Sequence, residues 1–317
     1  MIVALAGGVG GARLAVGLAA VLSPSQLAIV VNTGDDFEHH GLHVSPDLDT
    51  VMYTLAGVNN TATGWGRAGE SWNFMAALGE LGGARWFNLG DRDLATHVLR
   101  SEALRSGLPL SAIMQTLAKR LGVRHALLPM SDQPVRTRVK TARGELAFQD
   151  YFVRERCRPR VQGFRFAGAR SATPAPALRK LMRSGKVRGV VICPSNPFVS
   201  VAPIFAVPVI RAWLRSRDFP VVAVSPLVGG AALKGPAAKM MRELKLEASA
   251  AGIARHYGKL VDGWVIDRAD AQLQAEIEAT GRRVRVTDTI MRNRAASSRL
   301  ARAVVGFTRQ LAQERER

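Results

Sequence analysis

Cysteine is almost missing from this 317-residue chain. Cys157 and Cys193 are too few and too far apart for a disulfide framework or a cysteine-based zinc site, so a reducing compartment is expected. Aromatic residues are also sparse, at 6%, and they do not interleave with basic runs as a base-stacking platform would require. Acidic residues number 25 against 44 Lys+Arg, a net charge of +19. That imbalance favours anionic partners, whether nucleic acid, membrane or phosphorylated small molecules, and charge alone does not choose between them. Long apolar runs are lacking. Residues 187–210 are broken by Pro194, Pro197, Pro203 and Pro208, and nothing reaches the ~20 residues that span a bilayer. Residues 1–22 are nearly all apolar or glycine, yet they have no basic start and carry Arg13 mid-run. Export is therefore not expected, and a cytoplasmic protein is. There is no G-x-S-x-G elbow, no H-E-x-x-H and no spaced His/Cys set.

What remains is an ordinary globular composition, 47% hydrophobic and 22% charged, long enough for one large α/β domain or two smaller ones. Residues 2–6 form an apolar run, and Leu14, Leu18, Val21 and Leu22 then recur on one helical face before a second apolar run at 27–31. This is a βαβ unit, with a right-handed crossover. Further strands are expected at 86–89, 126–128, 187–193, 221–224, 263–267 and 284–286, with helices at 204–217, 236–244, 269–280 and 293–313. The alternation implies a three-layer, Rossmann-like α/β fold with a mostly parallel sheet and helices on both faces. Residues 137–151 read as a hairpin turning at Arg143-Gly144, and the Pro/Arg-rich stretch 154–176 as a cap. We expect one domain over 1–317, its core at about 1–132 and 185–312 and the cap insertion at about 133–184.

Chemistry is expected at the corners that follow strands. Gly7-Gly8-Val9-Gly10-Gly11 lets backbone approach a phosphate at a helix N-terminus. It is not a dinucleotide fingerprint, since Arg13 stands where the third glycine would be, and no G-K-[ST] follows. Asn32-Thr33-Gly34-Asp35-Asp36 could meet a ribose hydroxyl or a metal-bound water, or could simply form an Asx turn. Asp47 and Asp49, in Ser45-Pro46-Asp47-Leu48-Asp49-Thr50, would share one side of an extended segment. On a helix they would point about 200° apart, one of them as an N-terminal charge. Paired carboxylates suit Mg2+, which is commonly held by one or two carboxylates with substrate phosphates. In Leu89-Gly90-Asp91-Arg92-Asp93, the flanking acids would hold Arg92 in one orientation for a planar or anionic group. Asn196 lies in another polar corner, and Lys234 precedes a helix, where an ammonium offsets phosphate charge better than it serves the helix.

Together these segments resemble the 2-phospho-L-lactate transferases of deazaflavin coenzyme F-420 biosynthesis. The likeness runs in family order through the glycine-rich start, Asn32–Asp36, 45–51, 89–97, 128–132, 148–150, 194–197 and 224–226. It implies a Mg2+-dependent transfer from a guanosine-diphosphate-linked donor, carrying lactate, enolpyruvate or glycerate, to the ribityl hydroxyl of the deazaflavin Fo, releasing GMP. The family's Fo-contacting residues fall on Asp49 and Arg92, and Gly8, Gly10 and Gly11, with Asn196 and Lys234, would hold the guanosine diphosphate side. Asp47 and Asp49 would carry the metal and the proton transfer. The resemblance also implies a homodimer acting on small molecules, with no nucleic-acid or membrane partner. The second reading is a nucleotide-sugar-binding regulatory protein of the gluconeogenesis-factor family, which has a similar sheet.

Overall fold

A computed structural model describes residues 1–316. Seven strands build its central sheet: β1 (Ile2–Ala6), β2 (Leu27–Val31), β3 (Ala126–Pro129), β4 (Gly189–Ile192), β5 (Val221–Val224), β6 (Gly263–Asp267) and β7 (Arg283–Thr287). Their order across the sheet is β3-β2-β1-β4-β5-β6-β7, and every pair is parallel. β1, β2, β4, β5 and β6 are buried along their whole length. Continuous Val/Ile/Leu/Ala runs are what a strand covered on both faces requires. Alternate side chains feed two cores. Ala4, Ala6, Val191 and Val222 meet the helices Gly8–Val21, Pro46–Ala56, Leu110–Arg120 and Arg294–Glu316. Val3, Leu5, Ile192 and Trp264 meet Pro176–Met182, Pro208–Arg215, Ala237–Glu243 and Ala250–Tyr257. The fold is the three-layer Rossmann-like architecture. Its strand order reverses between β1 and β4, and in such sheets ligands bind beyond the strand ends at that switch point.

The cap region holds a three-stranded antiparallel sheet. Arg136–Thr141 lies between Gly144–Ala147 and Val161–Ala167, and the first turn is made at Gly144, with φ 99°. The outer strand Val161–Ala167 was not expected from the sequence. Val135, Val139, Tyr151 and Val161 belong to the same apolar core as β1 and β4.

Residues 86–89 are not a strand. Trp86 and Phe87 instead pack edge-on against an unforeseen hairpin, Phe37–His39 with Leu42–Val44, at 5.0 Å from His39 to Trp86 and 4.8 Å from Phe37 to Phe87. The place beside β2 belongs to β3, so this apolar stretch serves a small satellite core with Val44, Met75 and Leu89. The helix expected at 204–217 is two helices, Ala202–Ala206 and Pro208–Arg215, and the helical stretch Pro197–Ala206 meets the second at 89°. Val207, held extended before Pro208, makes the break. Residues 269–280 likewise divide into a 3-10 turn, Arg268–Leu273, and a short helix, Gln274–Glu278. Among the described residues no single helix is long and apolar enough to cross a membrane.

Candidate active site

A cleft of about 580 Å³ opens beyond the carboxyl ends of β1 and β4, at the switch point. Gly8, Gly10, Asp47, Asp49, Asn196 and Lys234 line it. Gly11 and Arg92 lie outside that lining.

The glycine-rich turn is shaped first by its neighbours. Gly8 starts the helix Gly8–Val21 with φ +61°, a conformation that favours glycine. A Cβ on Gly10 would overlap the Pro194 carbonyl oxygen, and one on Gly11 the Ser195 hydroxyl. Those two glycines thus let the loop after β4 press onto the first turn. Ser195 completes the contact by accepting from the Gly7 N–H at 3.1 Å and donating to the Gly7 carbonyl at 2.8 Å. Asn196 Oδ1 accepts from Phe198 N–H at 2.9 Å and so caps its own loop.

Asp47 and Asp49 are both in the first turn of the helix Pro46–Ala56, and they serve different groups. Asp47 accepts from the Gly8 N–H at 2.6 Å and from Asn32 Nδ2 at 2.9 Å. An anionic side chain therefore already occupies one N–H of the turn expected to receive phosphate. Burial pushes its carboxyl up to about 6, against those two bonds and one from Ser200. Asp35 accepts from the Asp47 N–H at 3.1 Å and from Asn32 at 3.2 Å. Burial, and then the charges of Asp47 and Asp36, raise Asp35 well above the usual carboxylate range. These two carboxyls, bridged by Asn32, form one hydrogen-bonded unit lining the cleft.

Asp49 belongs to a second unit. Arg100, fully buried, donates to both of its oxygens, at 3.0 Å from Nη1 and through a shorter bond from Nη2. His97 Nδ1 lies 3.7 Å from Asp49 and Nε2 lies 3.4 Å from Asp93, whose other oxygen accepts from Tyr53 Oη at 2.5 Å. Both ring nitrogens of His97 are buried without a hydrogen bond. Burial raises Asp49 and outweighs the lowering by Arg100 and His97. At Asp93 burial is outweighed by His97 and Tyr53, which hold it below the usual range. Asp49, Asp93 and His97 form a buried group whose ligand atoms lie within 4.8 Å of one another and could hold a metal ion; Asp47 is not part of it.

Arg92 is exposed at the start of the helix Asp91–Arg105 and donates to the Ala68 carbonyl at 3.2 Å. Its flanking acids do not hold it. Asp91 accepts from Ser71, Asn73 and Phe74, while Asp93 turns inward to Tyr53 and His97. Lys234 reaches the Thr63 carbonyl at 3.3 Å from the opposite wall. The residues that the sequence reading passed over are Tyr53, Arg100 and the inward role of Asp93. Their signal was available: polar residues at 93, 97 and 100 repeat at helical spacing on one face, where a plain amphipathic helix would carry Leu or Val.

The family model of 2-phospho-L-lactate transferase CofD matches residues 2–304. The chain is 42% identical to a phosphoenolpyruvate transferase of Kitasatospora aureofaciens, over 98% of each chain. It is 43% identical to one of Streptomyces griseus, over 95% of this chain and 96% of that one. A 2-phospho-L-lactate transferase of Methanospirillum hungatei is 36% identical over 96% and 99%. Among solved structures, a UPF0052-family protein of Bacillus halodurans shares the fold, with a TM-score of 0.63 at 13% identity over 96% and 98% of the chains.

Proposed function

The chain belongs to the 2-phospho-L-lactate transferase family, and on that premise we propose a transfer from a guanosine-diphosphate-linked donor to the deazaflavin Fo in coenzyme F-420 biosynthesis. The small acid is enolpyruvate in this reading, because relatives named phosphoenolpyruvate transferase stand at 42% and 43% identity and the named 2-phospho-L-lactate transferase at 36%. The ribityl hydroxyl oxygen attacks the phosphorus nearer the small acid. A new P–O bond replaces the bond to GMP, which leaves with the electron pair, and the hydroxyl proton passes to Asp49.

The observation that carries this reading is the switch-point cleft, which joins the glycine-rich turn and both aspartates in one space. Gly8, Gly10, Gly11 and Asn196 shape the donor wall, with the Lys234 ammonium, which donates to the Thr63 carbonyl, as its cation. Arg92, which lies outside the cleft lining, is assigned to Fo with Asp49. Mg2+ takes oxygen ligands, commonly one or two carboxylates with substrate phosphates. Asp49 and Asp93 offer such oxygens beside His97, whose ring nitrogens make no hydrogen bond, so they fit the ion better than an Asp47–Asp49 pair whose members face different groups. Bound there, Mg2+ would neutralise charge on the donor diphosphate. A cytoplasmic homodimer is part of the same proposal. The nucleotide-sugar reading is not favoured, since the family model and the named relatives are transferases.

The test is single-turnover transfer to Fo from the lactyl, enolpyruvyl and glyceryl donors, with Mg2+ and with EDTA. The enolpyruvyl donor should react fastest and EDTA should stop the reaction. If no donor yields GMP, or if a nucleotide sugar binds saturably while Fo does not, the transferase reading is lost.

A further inference from the structure

We propose that Arg100 is the positioning residue of Asp49, fixing the carboxylate against the acceptor hydroxyl. This rests on the reading that Asp49 acts on Fo. Arg100 has no solvent exposure, and its guanidinium spans both Asp49 oxygens from beneath the cleft. Such a fork sets direction as well as charge. A carboxylate offers about four lone-pair sites, and the fork takes two, leaving two for the acceptor or a cation. The carboxyl of Asp49 cannot turn without breaking both bonds. The same helix, Asp91–Arg105, carries Arg92 at its exposed end and Arg100 about two turns further on. One rigid element therefore sets both residues assigned to Fo. A lysine at this place would keep the charge but lose the fork.

Four proteins test this: wild type, Arg100→Lys, Asp49→Asn and the double variant, each assayed for steady-state transfer and for equilibrium binding of GDP and of Fo. Arg100→Lys should bind GDP within about twofold of wild type while losing ~10²-fold in kcat/KM for Fo, the scale expected of a misplaced reacting group. In the Asp49→Asn background the same change should alter transfer by less than about twofold, because no carboxylate remains to be placed. Full activity in Arg100→Lys would overturn the proposal. So would an equal fold-loss in both backgrounds, or loss of GDP binding in step with transfer, each of which marks a residue that only supports the fold. Asp49→Glu is the companion variant, keeping the charge and its partner but moving the carboxyl by one methylene. It should show the same Fo-specific defect, and wild-type kinetics there would also overturn the idea. A wild-type protein that neither binds Fo nor transfers fails the functional reading itself, and that is seen before any variant is made.

Discussion

Replacing Asp49 by Asn exchanges one acceptor for an NH2 group that faces an N–H of Arg100. The buried guanidinium then lacks its counter-charge, and breaking a buried pair costs ~3–5 kcal/mol. Asp49→Asn should therefore lose transfer rate by ~10²–10⁴, as for a missing general base, and lose thermal stability as well. Single-turnover kinetics beside scanning calorimetry read both. Full rate would remove Asp49 from the chemistry, and an unchanged Tm would contradict the ion pair. At this scale the sequence marked candidate residues without their partners. The spacing of Asp47 and Asp49 marked a candidate site, but their division between Gly8 and Arg100 follows from the helix they lie on. Arg100 stands 51 residues from Asp49 in a chain rich in arginine, where a single Arg reads as a solvated one. Gly10 and Gly11 were noticed for phosphate, although Pro194 and Ser195 are what forbid a side chain there.

Among the elements, the hairpin Phe37–His39 with Leu42–Val44 has a pH signature. Burial, and then His40 and Arg154 nearby, push the His39 imidazole down to about 4. An unfolded histidine titrates near 6.5, so between those values the unfolded chain holds more protons and stability falls as pH drops. Asp47, raised to about 6, acts in the opposite sense from about 6 down to 4. The comparison must therefore be made between proteins. Urea unfolding at pH 7 and pH 4.5 should show a smaller acid-induced loss in His39→Gln than in wild type, and parallel losses would refute the assignment. This hairpin could not be read from the sequence because its strands are three residues long and its turn, His40-Gly41, lacks the usual Asn-Gly pair. The strand Val161–Ala167 was hidden by the Pro/Arg-rich residues around it, though Phe164 and Phe166 alternate as a strand should. The sheet strands were plain because continuous burial demands continuous apolar sequence.

For the whole molecule, the βαβ alternation implied the parallel sheet, but not that β1 would lie in its interior, next to the middle strand β4. β1 pairs with β2 on one side and with β4, from Gly189, on the other. A fragment of residues 1–185 holds β1, β2, β3 and the cap sheet, yet leaves an edge of β1 and much of both cores uncovered. It should show no cooperative thermal transition and rapid proteolysis at low protease, whereas the full chain resists. A cooperative, protected fragment would mean that the N-terminal half is an independent unit.

That interior position also bears on how the protein is made. At about 5–20 residues per second, the ~160 residues between β2 and β4 take on the order of 10–30 s to emerge from a ribosome. Throughout that time the β1 edge, apolar on both faces, has no partner strand. An unpaired edge of this kind is a template for other chains. Yield during rapid expression should then be limited by how long translation leaves β1 waiting, and slower synthesis or a holdase that covers the nascent N-terminal half should raise the soluble fraction without altering the stability of the finished enzyme.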